Sequence, residues 1–170
     1  MQNKDHSIKE LEKTIQKYKK TVYGIAFTHL KNKQEADDVF QEVFLLYFKK
    51  NISFENEEYK RVWLVKTTIN KCRQFNHNLW NTIVDKKEEV NIAQTVDIAS
   101  KEESDVYNAV LQLDVKYRTP LYLHYFIGMP IEEIGKIMKI RSNTISVRLN
   151  RAKKILRKRL ERSEGMFYEN

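Results

Sequence analysis

The stretch whose reading decides the fold is Ile131-Glu132-Glu133-Ile134-Gly135-Lys136-Ile137-Met138-Lys139-Ile140-Arg141-Ser142-Asn143-Thr144-Ile145-Ser146-Val147-Arg148-Leu149-Asn150-Arg151-Ala152. Its apolar residues predict two helices: a short one over 131–138, then a long one whose buried stripe is Ile145, Leu149, Ala152 and Leu156. The break falls at Lys139-Ile140-Arg141, with Ser142 as the expected N-cap. A helix as short as the first is marginal alone, so Ile134, Ile137 and Ile140 must pack it on the second. Those are the proportions of a helix-turn-helix. The second helix then presents Ser142, Asn143, Thr144, Ser146 and Val147 from its first turns, where a recognition helix meets base edges. Arg148, Arg151 and Lys154 continue along it and can grip phosphates.

Charge gives an independent signal. Between Arg141 and Arg162 lie nine basic residues and one acid, a local excess equal to the +8 of the whole chain. A field so concentrated attracts a polyanion, and phosphate neutralisation dominates nucleic-acid affinity. Spacing and charge together predict duplex DNA binding.

Working upstream, helices are expected around Asp105 to Leu113 and from Val115 to Phe126, with Pro120 in about the first turn of the latter. Gly128-Met129-Pro130 reads as a turn. The segment from Asp85 to Asp105 holds seven acids, three lysines and no aromatic residue, the composition of a flexible acidic linker. It separates a block over 1–84 from one over 106–170.

The first block predicts three helices. One runs from Ser7 to Leu30 on Ile8, Leu11, Ile15, Tyr18 and Val22. The second starts after Lys33 and reaches Lys50, with Val39, Phe40, Val43, Phe44, Leu46 and Tyr47 inward and Glu35, Asp37, Asp38, Gln41 and Glu42 outward. The third spans Glu58 to His77 on Val62, Val65, Ile69 and Cys72. Opposite that stripe, Lys66, Asn70, Arg73 or Gln74, and His77 form one donor-rich face. With few glycines and prolines and no sustained alternation, the fold class is all-α: two small helical domains joined by the linker.

Several function classes are excluded. One cysteine, Cys72, forbids an intramolecular disulfide and a cysteine-rich zinc site, and reads as a small core residue. No glycine-rich phosphate loop, H-E-x-x-H or clustered His/Cys set occurs, so neither an enzyme nor a cofactor or metal is expected. The longest apolar run, Val43 to Phe48, is too short to cross a bilayer, and the N-terminus lacks a signal-peptide core. A soluble, cytoplasmic protein without membrane insertion is expected.

At this point the residues resemble a family. Glu133-Ile134-Gly135, Ile140 and Thr144 through Lys153 resemble region four of bacterial sigma factors, and Leu113-Asp114, Arg118, Leu123, Tyr125 and Gly128 match the helix pair before it. Glu35-Ala36-Asp37-Asp38-Val39-Phe40-Gln41-Glu42-Val43-Phe44 resembles the region-two signature, followed by Trp63-Leu64, Asn70 and Cys72-Arg73. Two motifs in this order, with no domain between them, resemble the extracytoplasmic-function (ECF) group. The resemblance implies a transcription initiation factor that binds core RNA polymerase, at the clamp helices of the largest subunit and the flap of the second-largest, and directs it to promoter DNA. It implies that Asp38, Gln41 and Glu42 face the polymerase. Phe54, Lys66, Asn70, Arg73 and Gln74 would meet the minus-ten element, with Phe54 helping to hold a base flipped from the opened strand. Ser142, Asn143, Thr144, Ser146, Arg148, Arg151 and Lys154 would grip the minus-thirty-five element as duplex. It further implies an anti-sigma partner and a linker lying along the polymerase.

The chain departs from the family pattern at Pro130, Ser146 and Val147. The acidic run Glu55-Asn56-Glu57-Glu58 is a further departure: either its carboxylates point away from the strand, or base preference there is atypical. Two rival readings remain open on the residues alone. One is a helix-turn-helix regulator with an N-terminal sensing or dimerisation block, which leaves the polar faces of the second and third helices without a purpose. The other is a sigma-mimicking polymerase regulator.

Overall fold

The computed structural model describes residues 2–79 and 101–168, which form seven helices and no strand. They fall into two compact units divided near Asn91. In the first, α1 (Gln2–Leu30), α2 (Lys33–Lys50) and α3 (Glu57–Leu79) pack on one another. Val22, Ala26, Ala36, Val39, Val43, Leu64, Val65, Ile69 and Cys72 are fully buried between them. The expected α1 stripe holds at Tyr18 and Val22, whereas Ile8 is exposed. Each junction is chemically marked. Lys31 takes a left-handed conformation (φ 55°) after α1, and Asn32 caps α2 by accepting the Glu35 N–H at 3.0 Å. Asn51, also left-handed (φ 45°), ends α2 with its N–H on the Tyr47 carbonyl. Asn56 then caps α3, its Oδ1 accepting the Tyr59 N–H at 3.0 Å.

The second unit contains α4 (Lys101–Leu111), α5 (Val115–Tyr125), α6 (Ile131–Met138) and α7 (Ser142–Tyr168), with α4, α5 and α6 all packed on α7. The core holds Tyr107, Val110, Leu123, Met129, Ile134, Ile145, Leu149 and Ala152. The linker expected over 85–105 lies outside the described residues except for 101–105, which already belong to α4.

Two local expectations are corrected. Pro120 is the sixth residue of α5, one turn deeper than expected, so the bond its missing N–H would make to the Lys116 carbonyl is absent inside the helix. Ser142 is the first residue of α7 rather than its cap: the Arg141 carbonyl accepts the Thr144 and Ile145 amides at 2.9 and 3.1 Å, so Arg141 occupies the cap position. No helix among the described residues is long and apolar enough to cross a membrane.

Candidate nucleic-acid and protein interfaces

The helix-turn-helix is closed by an unusually tight turn. Lys139 adopts φ 56° at the end of α6, and the Ile140 N–H reaches back to the Gly135 carbonyl at 2.9 Å, which is a Schellman termination. That wrap brings the Ile140 carbonyl so near Gly135 that a Cβ there would lie 2.8 Å from its oxygen. Ile134 and Ile137 are buried as expected, and Ile140 is half-buried. On α7, Ile145, Leu149, Ala152 and Leu156 face inward. Asn143, Thr144, Arg151 and Lys154 are exposed, while Ser142, Ser146 and Arg148 are half-buried. The structure therefore brings the expected duplex-facing residues together on one helix, with Asn143, Thr144, Arg151 and Lys154 outward. Val147 is 46% exposed between Thr144 and Arg151, an aliphatic side chain in the middle of a polar face. No ion pair among the described residues engages Arg148, Arg151 or Lys154.

The turn between α4 and α5 is held differently. Arg118 is 9% exposed and donates to the Leu113 carbonyl at 2.7 Å. Burial lowers its pKa to about 10, with Asp114 opposing the shift. This buried cation is structural and not part of the basic outer face.

In the first unit, Asp38, Gln41 and Glu42 are all exposed on α2. Leu45, 51% exposed, follows at helical spacing and extends that face with an apolar position that sequence reasoning missed. Glu42 is not wholly available: it pairs with Lys71 of α3 at 3.0 Å. Asp37 pairs with Lys33, and burial followed by the Asp37 charge pushes the Tyr23 phenol up to about 12. Burial, with Asp38 second, also raises the pKa of Glu35.

On α3, Lys66 and Gln74 are exposed, while Asn70 and Arg73 are half-buried on the same side; the His77 side chain lies outside those described. Tyr59, 56% exposed, falls seven residues before Lys66 and eleven before Asn70, hence on the same line. Nothing but that spacing marks it in the sequence. Cys72 is fully buried and its thiol is pushed up to about 12, chiefly by burial, which makes it an inert core group.

Phe54 stands apart from the α3 line, in the loop before it. Its ring stacks on Tyr47 (centroids 6.3 Å, planes 12° apart) and meets Trp63 edge-on at 5.9 Å. It is half-buried, so it anchors the loop and also presents part of its ring to a cavity of about 390 Å³ lined by Glu10, Tyr47, Asn56, Glu57 and Lys60. The acidic run is largely neutralised. Glu57 accepts from Lys17 at 2.7 Å and Tyr18 Oη at 2.8 Å and pairs with Lys60 at 3.0 Å, and Glu58 pairs with Arg61 at 2.9 Å. Those donors pull the Glu57 pKa down to about 2, Lys17 contributing most.

Comparison with known proteins matches these two units separately. Residues 14–80 match the family described as sigma-70 region 2, and residues 104–156 match sigma-70, region 4. The RNA polymerase sigma factor SigV of Bacillus subtilis is 27% identical over 156 residues, covering 88% of this chain and 90% of that protein. The ECF RNA polymerase sigma factor SigW of the same organism is 27% identical, covering 84% of each. The fold is similar to that of the sigma factor RpoE solved in complex with the anti-sigma factor NepR from Bartonella quintana, with a TM-score of 0.71 at 18% identity over 90% of this chain and 98% of that one. Both regions being present in order over most of its length, the chain belongs to the sigma-70 family, as a transcription initiation factor of the ECF type.

Proposed function

We propose that the chain binds core RNA polymerase through the exposed face of α2 and delivers it to promoters read by two separate surfaces. The observation that carries this is that each matched region leaves a donor-rich helical face turned outward, Lys66–Asn70–Gln74 on α3 and Thr144–Arg151–Lys154 on α7. A regulator that bound DNA with α7 alone has no use for the first. On α7, Asn143 and Thr144 offer hydrogen bonds to base edges, Val147 an apolar contact suited to a thymine methyl, and Arg148, Arg151 and Lys154 neutralise phosphates. Ser142 and Ser146 offer hydroxyls to the DNA phosphate backbone from the first turns of the helix. This surface takes the minus-thirty-five element as duplex.

On the first unit, Asn70 reads the minus-ten element with Lys66, Arg73 and Gln74 around it, and Tyr59 and Phe54 supply aromatic faces for unstacked bases. Stacking on an aromatic ring contributes about 1–3 kcal/mol per base, enough to offset much of the cost of flipping it. Asp38, Gln41 and Leu45 meet the clamp helices of the largest subunit. Acids suit that surface, since they favour a protein partner where DNA is repelled. Region four also meets the flap of the second-largest subunit. The protein is thus an accessory subunit in the cytoplasm, not an enzyme in its own right. An anti-sigma factor, such as the one bound to the RpoE relative, is its expected regulator.

Run-off transcription with core enzyme over a randomised promoter library tests the proposal. Selection of a two-element promoter is the expected outcome. Tight binding to a palindrome with no initiation would establish the regulator instead, and core binding without initiation the polymerase-inhibiting mimic.

A further inference from the structure

The carboxylates after Phe54 are the least expected feature of a surface offered to a DNA strand, and their partners give them a purpose. Helix α1 grips the helices on either side of the loop at two points one helical turn apart. Thr14 Oγ1 donates to Tyr47 Oη at 3.2 Å, and the Tyr47 ring carries Phe54. Lys17 and Tyr18 then take the Glu57 carboxylate, the first residue of α3. Lys60, only 12% exposed at its side chain, bridges Glu57 to Glu10 of α1 at 2.9 Å. One exposed ion pair fixes little. Three donors converging on one carboxylate, with a hydroxyl and a mostly buried ammonium among them, hold a defined geometry.

We propose that Glu57 is a positioning residue for promoter selection: clamped by Lys17, Tyr18 and Lys60, it fixes the loop from Asn51 to Asn56, and with it Phe54, in the orientation that selects a base of the opened strand. The proposal rests on the minus-ten reading given above. Glu57 touches no base. It acts by closing one wall of the cavity beside Phe54, and its charge is spent on its three partners, so it does not repel the incoming strand. The α3 cap at Asn56 does not depend on it, so loss of the carboxylate charge leaves the helix intact.

The test compares full-length wild type, Glu57→Gln, Phe54→Ala and the double variant, each with core polymerase on the randomised promoter library. Glu57→Gln is expected to flatten base preference at the minus-ten position by roughly tenfold, the scale of one charge-assisted hydrogen bond. Preference at minus-thirty-five should be unchanged. In the Phe54→Ala background the same substitution should add nothing, because Glu57 acts through Phe54. Tyr18→Phe removes a single hydroxyl and keeps the ring, so it should give a smaller flattening at the same position even if Glu57→Gln folds poorly. A wild-type minus-ten profile in both Glu57→Gln and Tyr18→Phe overturns the proposal, as does flattening that is undiminished without Phe54. Absence of promoter selection by the wild type instead overturns the reading beneath it.

Discussion

The two surfaces proposed to read the promoter differ in how their charges are used. On α7 the cations Arg148, Arg151 and Lys154 stand without ion pairs among the described residues, on a helix fixed from behind by Ile145, Leu149 and Ala152. In the first unit the carboxylates at the start of α3 are matched, Glu57 with Lys17 and Lys60 and Glu58 with Arg61, and only Glu55 of the acidic run stands without an ion pair among the described residues. Unpaired cations suit a duplex, whose phosphates are regularly spaced and whose binding draws on counterion release. A paired, braced loop suits a base pulled from its stack, where geometry counts for more than field strength. The difference teaches that net charge locates only one of the two surfaces.

The largest effect expected from breaking this contrast comes from α7. Replacing Arg148, Arg151 and Lys154 together with alanine should lower the slope of log affinity against log salt for promoter duplex by roughly 2.7, at about 0.9 per lost phosphate contact. Titration at several salt concentrations measures it. An unchanged slope would mean that these cations do not touch phosphate.

Next comes the turn that aims α7. Gly135→Ala gains about 1 kcal/mol of helix propensity. It also drives a Cβ to 2.8 Å from the Ile140 carbonyl oxygen, a backbone atom that cannot swing aside. Overpacking of that kind costs about 1–3 kcal/mol, so thermal melting should show a net loss of about 1 kcal/mol together with weaker duplex binding. Stabilisation by alanine would show that the turn relaxes freely.

The smallest effect is acid sensitivity of the braced loop. The Glu57 pKa is lowered in the fold from the ordinary 4.5 to about 2. Its contribution to stability is therefore complete above the ordinary value and is lost as pH falls towards about 2. Acid titrations of wild type and Glu57→Gln should converge across that window. A difference that persists below it would place the effect elsewhere than in the carboxylate charge.

The helices and the α7 surface were legible in the sequence because both rest on local periodicity: Ile134, Ile137, Ile145 and Leu149 announce their faces within a few residues of one another. The α2 and α3 polar faces were legible for the same reason, although Leu45 and Tyr59 sit on them as apolar or aromatic positions that a search for polar residues passes over. What was not legible depends on contacts between distant residues or on backbone detail. Glu57 meets Tyr18 across 39 positions, and Phe54 finds Tyr47 and Trp63 only once the three helices have packed. A lysine in the left-handed region at Lys139 has no sequence signature, nor does the shift of the α7 cap from Ser142 to Arg141.

On the proposed function, the α7 surface holds duplex and the α3 surface captures an opened strand. Permanganate reactivity of promoter thymines, measured together with total occupancy in complexes with core polymerase, tests it most directly. Asn70→Ala should leave occupancy near wild type and reduce minus-ten reactivity by roughly tenfold, the worth of one good base contact. Arg151→Ala should lower occupancy while leaving the opened fraction of bound complexes unchanged. Both variants failing at the same step, or no opening by the wild type, would contradict the account.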